Sequence, residues 1–389
     1  MAKRKRRSVG AALGASGIAE GSAALPSIDA LRDVPRFSDI RFDDEQLAAF
    51  KDFCADWTAA GNPAADELHM GCVVRLDRGF PLVATENATF RAEHAVAFAK
   101  ARIDGERVLP AIGDWVAVRL APGHDVGVIE CVLPRRTVFE RWRGKNRGER
   151  QVLAANVDVV FIVQPLGSGR DGGHVMRDRI SRSLVLVNDC GATPVVVLTK
   201  ADRCPDDELA AKVSEVERLV GGQARVIATS SVREEGLDVV RSCVSVGTCG
   251  MILGESGAGK STLLNALLGH DALETGDVRE RDDMGRHTTV ARVMVSLPGS
   301  CGVIADAPGL RSLPLVGHER GLARTFPEIV EASHGCRFSD CTHAHEPGCA
   351  VREAVAQGAV DAERLDAFLA IAREMRVSAQ SLDPDIKLI

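Results

Sequence analysis

A glycine-rich run in the C-terminal half of the chain has the composition and spacing of a phosphate-binding loop. The pattern G-x-x-x-x-G-K-S follows an apolar run, Cys249–Leu253, and precedes a stretch typical of a helix. The glycines let backbone N–H groups turn toward a phosphate, and the positive end of the following helix points at it. Lys260 is expected to reach the β- and γ-phosphates, and Ser261 to place its hydroxyl on Mg²⁺. The residues expected to bind nucleotide here are Gly254, Glu255, Ser256, Gly257, Ala258, Gly259, Lys260, Ser261 and Thr262.

A second motif, earlier in the chain, indicates which base is bound. It directly follows an apolar run and consists of Thr199, Lys200, Ala201 and Asp202. The Asp202 carboxylate can accept hydrogen bonds from both N1 and N2 of guanine, whereas adenine offers no such pair of donors. Lys200 would lie along the base plane. After the next apolar run, Ser230 and Ser231 are expected to supply a backbone N–H to the guanine oxygen. Guanine is therefore the predicted base.

Two further segments would complete a site for a nucleoside triphosphate with Mg²⁺. Asp306 ends an apolar run and is expected to hold the metal. The N–H of Gly309 is expected to contact the γ-phosphate and to move when that phosphate leaves. Thr288 or Thr289, in the run G-R-H-T-T, is expected to complete the Mg²⁺ shell. In register, these segments predict a pair of switch loops.

Three of the eleven cysteines lie close together near the C-terminus, with a histidine between them. The spacing C-x₄-C-x-H-x₅-C supplies three thiolates and an imidazole, a donor set that suits a closed, tetrahedral, structural zinc site with no catalytic role. His334 and His345 are rival nitrogen ligands, and loose thiols on a loop are the alternative. The eight remaining cysteines are scattered singly, which fits a reducing compartment rather than a disulfide framework. The expected ligands of one Zn²⁺ per chain are Cys336, Cys341, His343 and Cys349.

The elements that must position these motifs are apolar strand candidates that alternate, from residue 157 onward, with polar or helical segments. This alternation predicts a parallel sheet covered by helices. Ras-like GTPases carry the phosphate loop first and the guanine motif late. Because Asp202 precedes Lys260 here, the domain is predicted to be circularly permuted, an arrangement that close-lying domain termini allow. The chain leaves this domain soon after Gly309, so the predicted switch leads directly into the cysteine-rich segment.

The N-terminal third has a different texture. Short β-branched runs broken by turn residues between positions 71 and 133 predict a small β-domain, and an OB-type barrel is the preferred interpretation. The run Pro134–Arg150 holds seven basic and two acidic residues, with Phe139 and Trp142 between them. It is interpreted as a nucleic-acid contact, with a solvated linker as the alternative. The stretch before residue 67 is interpreted mostly as a flexible arm, with a short helix near Asp43–Trp57; a tail that contacts RNA is the alternative.

Composition excludes several classes of protein. With 389 residues, 45% hydrophobic and 26% charged, the chain is expected to form a multidomain globular protein. A net charge of −6 argues against general binding of polyanions, so any nucleic-acid surface must be local. No stretch of 18 apolar residues is present, and no hydrophobic region follows the basic start. Neither a membrane span nor a secretory signal is therefore expected, and we predict a cytoplasmic protein.

These motifs, in their permuted order, resemble the ribosome small-subunit-dependent GTPase A family. The resemblance rests on T-K-A-D, G-E-S-G-A-G-K-S-T, G-R-H-T-T, D-A-P-G and the cysteine pattern, and covers residues 71 to 375. It implies an OB-fold domain, a circularly permuted GTPase domain and a zinc domain. It also implies GTP hydrolysis stimulated by the small ribosomal subunit, late in that subunit's maturation, with the OB and zinc domains contacting rRNA. Two residues depart from the family pattern: Thr199 stands where Asn is commoner, which is expected to weaken the base loop's hydrogen bonds, and Ala307 stands where Ser or Thr is usual.

We accordingly predict an N-terminal extension over residues 1–66, an OB-fold RNA-binding domain over 67–135, a permuted GTPase domain over 136–330 and a zinc-binding helical domain over 331–389. The expected activity is hydrolysis of GTP to GDP and phosphate. The expected partners are GTP or GDP with Mg²⁺, the small ribosomal subunit and its rRNA. A monomer is expected.

The catalytic group is the least determined part of the site. Leu310 stands where Ras-type enzymes carry the glutamine that positions water, and leucine cannot do so. Slow intrinsic turnover is expected, with His287 brought to the attacking water when the subunit binds; a histidine that merely packs in the switch loop is the alternative. Two rival functions stay open: an RNA-binding assembly factor for which nucleotide is a conformational label, and a P-loop kinase or ATPase.

Overall fold

The structure is a computed structural model. It describes residues 25–62, 65–77, 79–95, 102–103, 106–143, 149–166, 176–272, 291–306 and 315–382. Residues 32–389 form one compact unit; a separate N-terminal unit, residues 1–31, contributes a single described 3₁₀ turn, Ile28–Ala30. Within the described ranges, no helix has both the length and the apolar character needed to cross a bilayer.

The strands described are β1 (Leu68–Asp77), β2 (Phe80–Thr85), β3 (Thr89–His94), β4 (Arg102–Ile103), β5 (Glu106–Arg107), β6 (Trp115–Arg119), β7 (Val126–Val132), β8 (Val138–Arg143), β9 (Glu149–Ala155), β10 (Val159–Pro165), β11 (Thr193–Thr199), β12 (Arg225–Ala228), β13 (Cys249–Leu253), β14 (Arg292–Ser296) and β15 (Val303–Asp306). The α-helices described are Asp44–Ala59, Arg177–Cys190, Asp206–Val220, Leu237–Arg241, Lys260–Leu268, Glu319–Thr325, Pro327–Ser333, Ala350–Ala356 and Ala362–Leu382.

The first five long strands close into a barrel. Their order is β1-β2-β3-β7-β6, and β6 pairs back onto β1. All neighbours are antiparallel except β3 and β7. Inward-facing residues such as Val73, Val83 and Val116 are fully buried and form the barrel core. Closure removes the unpaired strand edges that an open sheet of this size would expose, and the five-stranded closed barrel confirms the predicted OB type.

A buried carboxylate sits at the end of β1. Asp77 pairs with Arg75, at 2.8 Å, and with Arg91 of β3, at 2.6 Å. Burial raises the pKa of Asp77, but the hydrogen bonds from the two guanidinium groups outweigh it and leave that pKa below its ordinary value. The ionised form is therefore the one that stabilises the fold.

The second half of the sheet is the α/β part. Its order is β12-β11-β10-β13-β15-β14, parallel throughout except for β14, which runs antiparallel to β15. The central strands are buried along nearly their whole length because helices cover the sheet, so they read as continuous apolar runs. In chain order the strand that leads to the phosphate loop, β13, comes after the strand of the base motif, β11. The predicted circular permutation of the GTPase sheet is confirmed.

The barrel and the α/β sheet meet at β1 and β14, which pair antiparallel. Nearby, the buried Asn156 side chain donates to the Gly113 carbonyl of the barrel and accepts from the N–H of Arg136. The amide of Gln46, itself fully buried, donates to the same Asn156 oxygen at 3.1 Å. Three segments of the chain are thus tied at one polar junction.

Residues 33–46 make long-range contacts with the rest of residues 32–389, whereas residues 47–59 of the following helix are exposed or half-buried. The helix Asp44–Ala59 begins with a capping box in which the Asp43 carboxylate accepts from the N–H of Gln46. Before it, Phe37 and Phe42 each contact the edge of the buried Trp115, with ring centroids 5.3 Å apart. The predicted helix near Asp43–Trp57 is confirmed, and residues 1–24 lie outside the described part of the chain.

Within the described residues, the basic run Pro134–Arg150 supplies β8 and the start of β9, and these strands pair antiparallel. Some of its residues are already committed within the protein: Arg135 pairs with the buried Asp114 at 2.7 Å, and Phe139 is buried. These two are therefore not free to contact a nucleic acid in this structure. The side chains of 141–150, Trp142 among them, lie outside the described set.

The C-terminal helices fold back onto the α/β part. Arg364, at the start of the helix Ala362–Leu382, is buried and donates to the carbonyl of Leu219 at 2.6 Å and to that of Thr325 at 2.8 Å. Its Nε donates to Glu328 Oε1 at 2.6 Å, and its guanidinium lies 4.9 Å from the Phe326 ring centroid. One arginine thus joins its own helix to three others.

Candidate functional site

The sequence motifs converge on one edge of the α/β sheet. The phosphate loop follows β13, the base motif follows β11, Ser230 comes two residues after β12, and Asp306 ends β15. These strands are parallel neighbours through β10, so their carboxyl ends lie along the same edge. Ligands of open α/β sheets bind at such an edge.

Tight packing fixes the start of the phosphate loop. A Cβ added to Gly254 would lie 2.7 Å from the carbonyl oxygen of Val163 on β10, so only glycine fits there. Gly257 and Gly259 have φ of 77° and 90°, in the left-handed region that glycine adopts without strain. The helix Lys260–Leu268 starts at once, so its N-terminal N–H groups face the loop.

Lys260 lies against its own loop. Its Nζ donates to the carbonyl of Glu255 at 2.6 Å. Ser261 is the second residue of the following helix and is half-buried, while Thr262 is exposed. The ammonium group is thus already at the loop that is predicted to hold the phosphates.

The base motif is tied directly to the phosphate loop. The buried Thr199 hydroxyl donates to the carbonyl of Ala258 at 2.7 Å, and Lys200 Nζ donates to the carbonyl of Gly257 at 2.8 Å. Lys200 has a positive φ of 60°, which aims its side chain back across the loop. The hydrogen bonding expected to suffer from threonine at position 199 is therefore present in this structure.

Ser230 contributes through its hydroxyl. Its Oγ donates to Asp202 Oδ1 at 2.7 Å and accepts from the N–H of Arg233 at 3.1 Å. The N–H of Ser230 itself donates to the carbonyl of Glu235, so the predicted bond to the guanine oxygen is left to Ser231. The Ser230 hydroxyl orients the carboxylate that is predicted to read guanine.

On the magnesium side the structure describes Asp306, which is buried at the end of β15. The other predicted switch residues lie outside the described residues; they are His287, Thr288, Thr289, Ala307, Gly309 and Leu310.

The four predicted zinc ligands come together. The donor atoms of Cys336, Cys341, His343 and Cys349 all lie within 4.8 Å of one another. Cys336 Sγ is 3.6 Å from His343 Nδ1 and 3.9 Å from Cys349 Sγ. With Zn–S bonds of about 2.3 Å and a Zn–N bond of about 2.0 Å, a tetrahedron has edges of about 3.5 to 3.8 Å. The spacing therefore fits a tetrahedral metal ion.

The pKa shifts of the cysteines indicate that the three thiols can all ionise only when a cation lies between them. Burial raises the pKa of Cys336, but backbone N–H groups of Val351 and Ala350 outweigh it and lower that pKa, which favours the thiolate. Burial, with the neighbouring thiols, raises the pKa of Cys341 to about 11. Three like charges cannot form this close together without a positive ion between them.

Two features of the site had no sequence signal. Glu346 closes the cysteine loop: its carboxylate accepts from Thr342 and from the N–H groups of Ala344 and His345, and these bonds, Thr342 first, lower its pKa to about 2. Arg179, on the helix after β10, pairs with Glu255 of the phosphate loop at 2.7 Å. Arg179 acts through a long-range contact that folding creates, whereas the Glu346 carboxylate binds residues one to four positions before it in the chain.

Comparison with known proteins agrees with this geometry. The sequence model of the RsgA GTPase family matches residues 132–316. The small ribosomal subunit biogenesis GTPase RsgA of Streptomyces coelicolor is 44% identical over 320 residues, which span 82% of this chain and 84% of that protein. The chain belongs to the RsgA GTPase family. The protein of the same name from Opitutus terrae is 40% identical over 89% of this chain and 92% of its own length. Membership of the RsgA GTPase family makes the chain a GTP hydrolase.

Solved structures give the same fold. YjeQ from Thermotoga maritima, 25% identical, superposes with a TM-score of 0.60 over 79% of this chain and 99% of its own. YloQ, described as a circularly permuted GTPase, superposes with a TM-score of 0.57 at 22% identity over 82% of this chain and 97% of its own. This chain therefore shares its fold with both solved structures.

Proposed function

We propose that the protein acts in the biogenesis of the small ribosomal subunit, as a GTPase that the subunit stimulates late in its maturation. The observation that carries the proposal is the direct tie between the base motif and the phosphate loop, through Thr199 and Lys200, in a chain 44% identical to a small ribosomal subunit biogenesis GTPase. GTP hydrolysis is proposed to serve as a checkpoint or to drive release from the subunit.

In this proposal each motif keeps its predicted role. Asp202 reads guanine, the loop 254–262 wraps the phosphates, and Lys260 neutralises them. Ser261, Asp306 and one of the two switch threonines hold Mg²⁺. We further propose His287 as the group that orients water, since Leu310 stands where Ras-type enzymes carry the glutamine that does so.

The cysteine cluster is proposed to hold one structural Zn²⁺ per chain. Zinc would fix the loop 336–349 between two helices, and no step of hydrolysis passes through it. The barrel, over residues 67–135, and the zinc-binding region, over 331–389, flank the GTPase region 136–330. We propose that these two flanks contact rRNA and that the N-terminal extension, 1–66, precedes them. A protein with this partner would act in the cytoplasm, as a monomer.

The first test is GTP hydrolysis with and without purified small ribosomal subunits, with ATP as the control substrate. We expect a large stimulation that is specific to GTP. Tight GTP binding without stimulation would favour the rival in which nucleotide only labels an RNA-binding factor. In a stimulated system, full turnover by His287→Ala with nucleotide binding intact would remove His287 from the mechanism.

The second test addresses the base. Asp202→Asn replaces an acceptor by an amide, which can donate to the 2-carbonyl of xanthine but cannot accept both guanine donors. We expect the variant to lose its preference for GTP and to gain affinity for XTP. Asp207→Asn, an exposed change five residues away, is the matched control. Unchanged nucleotide preference in Asp202→Asn would favour a kinase or ATPase.

A further inference from the structure

An ion pair at the phosphate loop is unexplained by the motifs. Glu255 is the second residue of the loop, and its carboxylate forms an ion pair with Arg179, whose Nη1 lies 2.7 Å from Glu255 Oε2. The helix Arg177–Cys190 that carries Arg179 has two other arginines, which pair elsewhere: Arg177 with Glu215, and Arg182 with Glu374. Of the three, Arg179 is the one directed to the phosphate loop.

Stability does not account for this pair. The two side chains are 41% and 43% exposed, and an ion pair so open to water contributes little to folding. The location of the ion pair at the phosphate loop instead suggests a role in nucleotide binding. The backbone carbonyl of the same Glu255 accepts from Lys260 Nζ at 2.6 Å, so the carboxylate belongs to a residue that already contacts the phosphate-binding lysine.

The negative charge of the Glu255 carboxylate would repel the negatively charged phosphates of a nucleotide bound at this loop. The phosphates of GTP carry about one negative charge more than those of GDP at neutral pH, and the difference is at the γ-phosphate. An uncompensated carboxylate on the loop would therefore weaken GTP binding more than GDP binding. A guanidinium 2.7 Å from that carboxylate offsets its charge and keeps it turned toward the helix.

We propose that the pairing of Arg179 with Glu255 prevents this loop carboxylate from lowering the affinity for GTP relative to that for GDP. Arg179 is a positioning residue that neutralises Glu255 and holds its carboxylate away from the phosphates. This inference rests on the proposed binding of guanine nucleotides at the loop and adds to it a determinant of selectivity for the γ-phosphate.

The size of the effect follows from Coulomb's law. For one unit charge about 10 Å from the γ-phosphate, at an effective dielectric constant of about 40, the change in the ratio of GTP to GDP affinity is about fourfold. Removing Glu255 and removing Arg179 must change this ratio in opposite directions. A pair that only braced the loop would instead weaken both nucleotides in both variants.

The experiment measures Kd for GDP and for a non-hydrolysable GTP analogue by calorimetry, with Mg²⁺ at low salt, for the full chain and four variants. Glu255→Gln is expected to shift the affinity ratio about fourfold toward the GTP analogue, and Arg179→Gln about fourfold toward GDP. The double variant is expected to return near the wild-type ratio. Arg182→Gln, which removes the same charge from the same helix, is the matched control and is expected to leave the ratio unchanged.

Salt provides a second readout. The shifts in both single variants are expected to shrink at about 1 M salt, where the Debye length is about 3 Å. Shifts of the same sign in Glu255→Gln and Arg179→Gln, or an unchanged ratio in either, would overturn the inference. Failure of the wild-type chain to bind either guanine nucleotide would instead overturn the proposed function on which it rests.

Discussion

Replacing Arg364 by methionine tests whether one buried guanidinium holds the C-terminal helix to the α/β part. The change removes the donors to the carbonyls of Leu219 and Thr325 and leaves the Glu328 carboxylate without its arginine. Methionine keeps an unbranched side chain, so the loss is chiefly polar.

The magnitude follows from these contacts. Breaking a buried ion pair by removing one partner costs about 3–5 kcal/mol. The Arg364 side chain is 5% exposed but that of Glu328 is 30% exposed, so water relieves part of the cost. The two carbonyls add about 1 kcal/mol each where water cannot replace the donor. We therefore expect a loss of about 3 kcal/mol, near the lower end of the range.

Hydrogen exchange followed by mass spectrometry is the assay, because it reports on each helix separately. A loss of about 3 kcal/mol corresponds to exchange about 150-fold faster in the helices Asp206–Val220 and Ala362–Leu382. The control is Arg373→Met, an exposed position on the same C-terminal helix, which is expected to change stability by less than about 0.5 kcal/mol. Equal exchange in Arg364→Met and Arg373→Met would refute the reasoning.

Three further predictions concern the metal, acid stability and the phosphate loop. Cys349→Ser is expected to lose the bound zinc, measured by metal analysis after dialysis against a chelator, while Cys54→Ser keeps it; equal zinc in both would contradict the assigned ligands. The folded-state pKa of Asp77 is lowered, so its contribution to stability is present above about pH 4 and is lost as the pH falls through the folded-state value. Urea unfolding should therefore depend less steeply on pH below about 4 in Asp77→Asn than in the wild type. Gly254→Ala would place a Cβ 2.7 Å from the carbonyl oxygen of Val163, and calorimetry should show nucleotide affinity reduced by more than about tenfold.

Short-range chemistry was readable from the sequence. A phosphate loop is formed by a contiguous strand, loop and helix. Its glycines and Lys260 therefore predict a phosphate-binding site from a few neighbouring residues. The cysteine cluster spans fourteen residues, 336–349, and its donor types and spacing predict a metal site without knowledge of the fold. The permuted order of the motifs can likewise be read from their positions along the chain. That order, together with the alternating apolar runs, predicts the fold class.

Contacts between distant residues were not readable. Thr199 and Ala258 are 59 positions apart, and no local pattern says that a threonine hydroxyl will meet that carbonyl. Threonine in place of asparagine at position 199 predicts weaker hydrogen bonding in the base loop, but the folded chain gives the Thr199 hydroxyl an acceptor in the carbonyl of Ala258. In the same way Phe139, which lies in the basic run interpreted as a nucleic-acid contact, is buried once the hairpin forms.

The sequence by itself therefore predicted the chemistry, namely phosphate binding, guanine selection and a metal site, and it determined the order of the strands that carry these motifs. Each depends on residue types at short, fixed spacings, which backbone geometry converts directly into structure. Only the tertiary structure decided which charged side chains pair with other residues of the same protein. Arg364 contacts Leu219 across 145 positions, and Arg179 reaches Glu255 from a different helix. Such pairs form because the sheet brings the elements together, and an arginine in a sequence carries no mark of the partner that folding will give it.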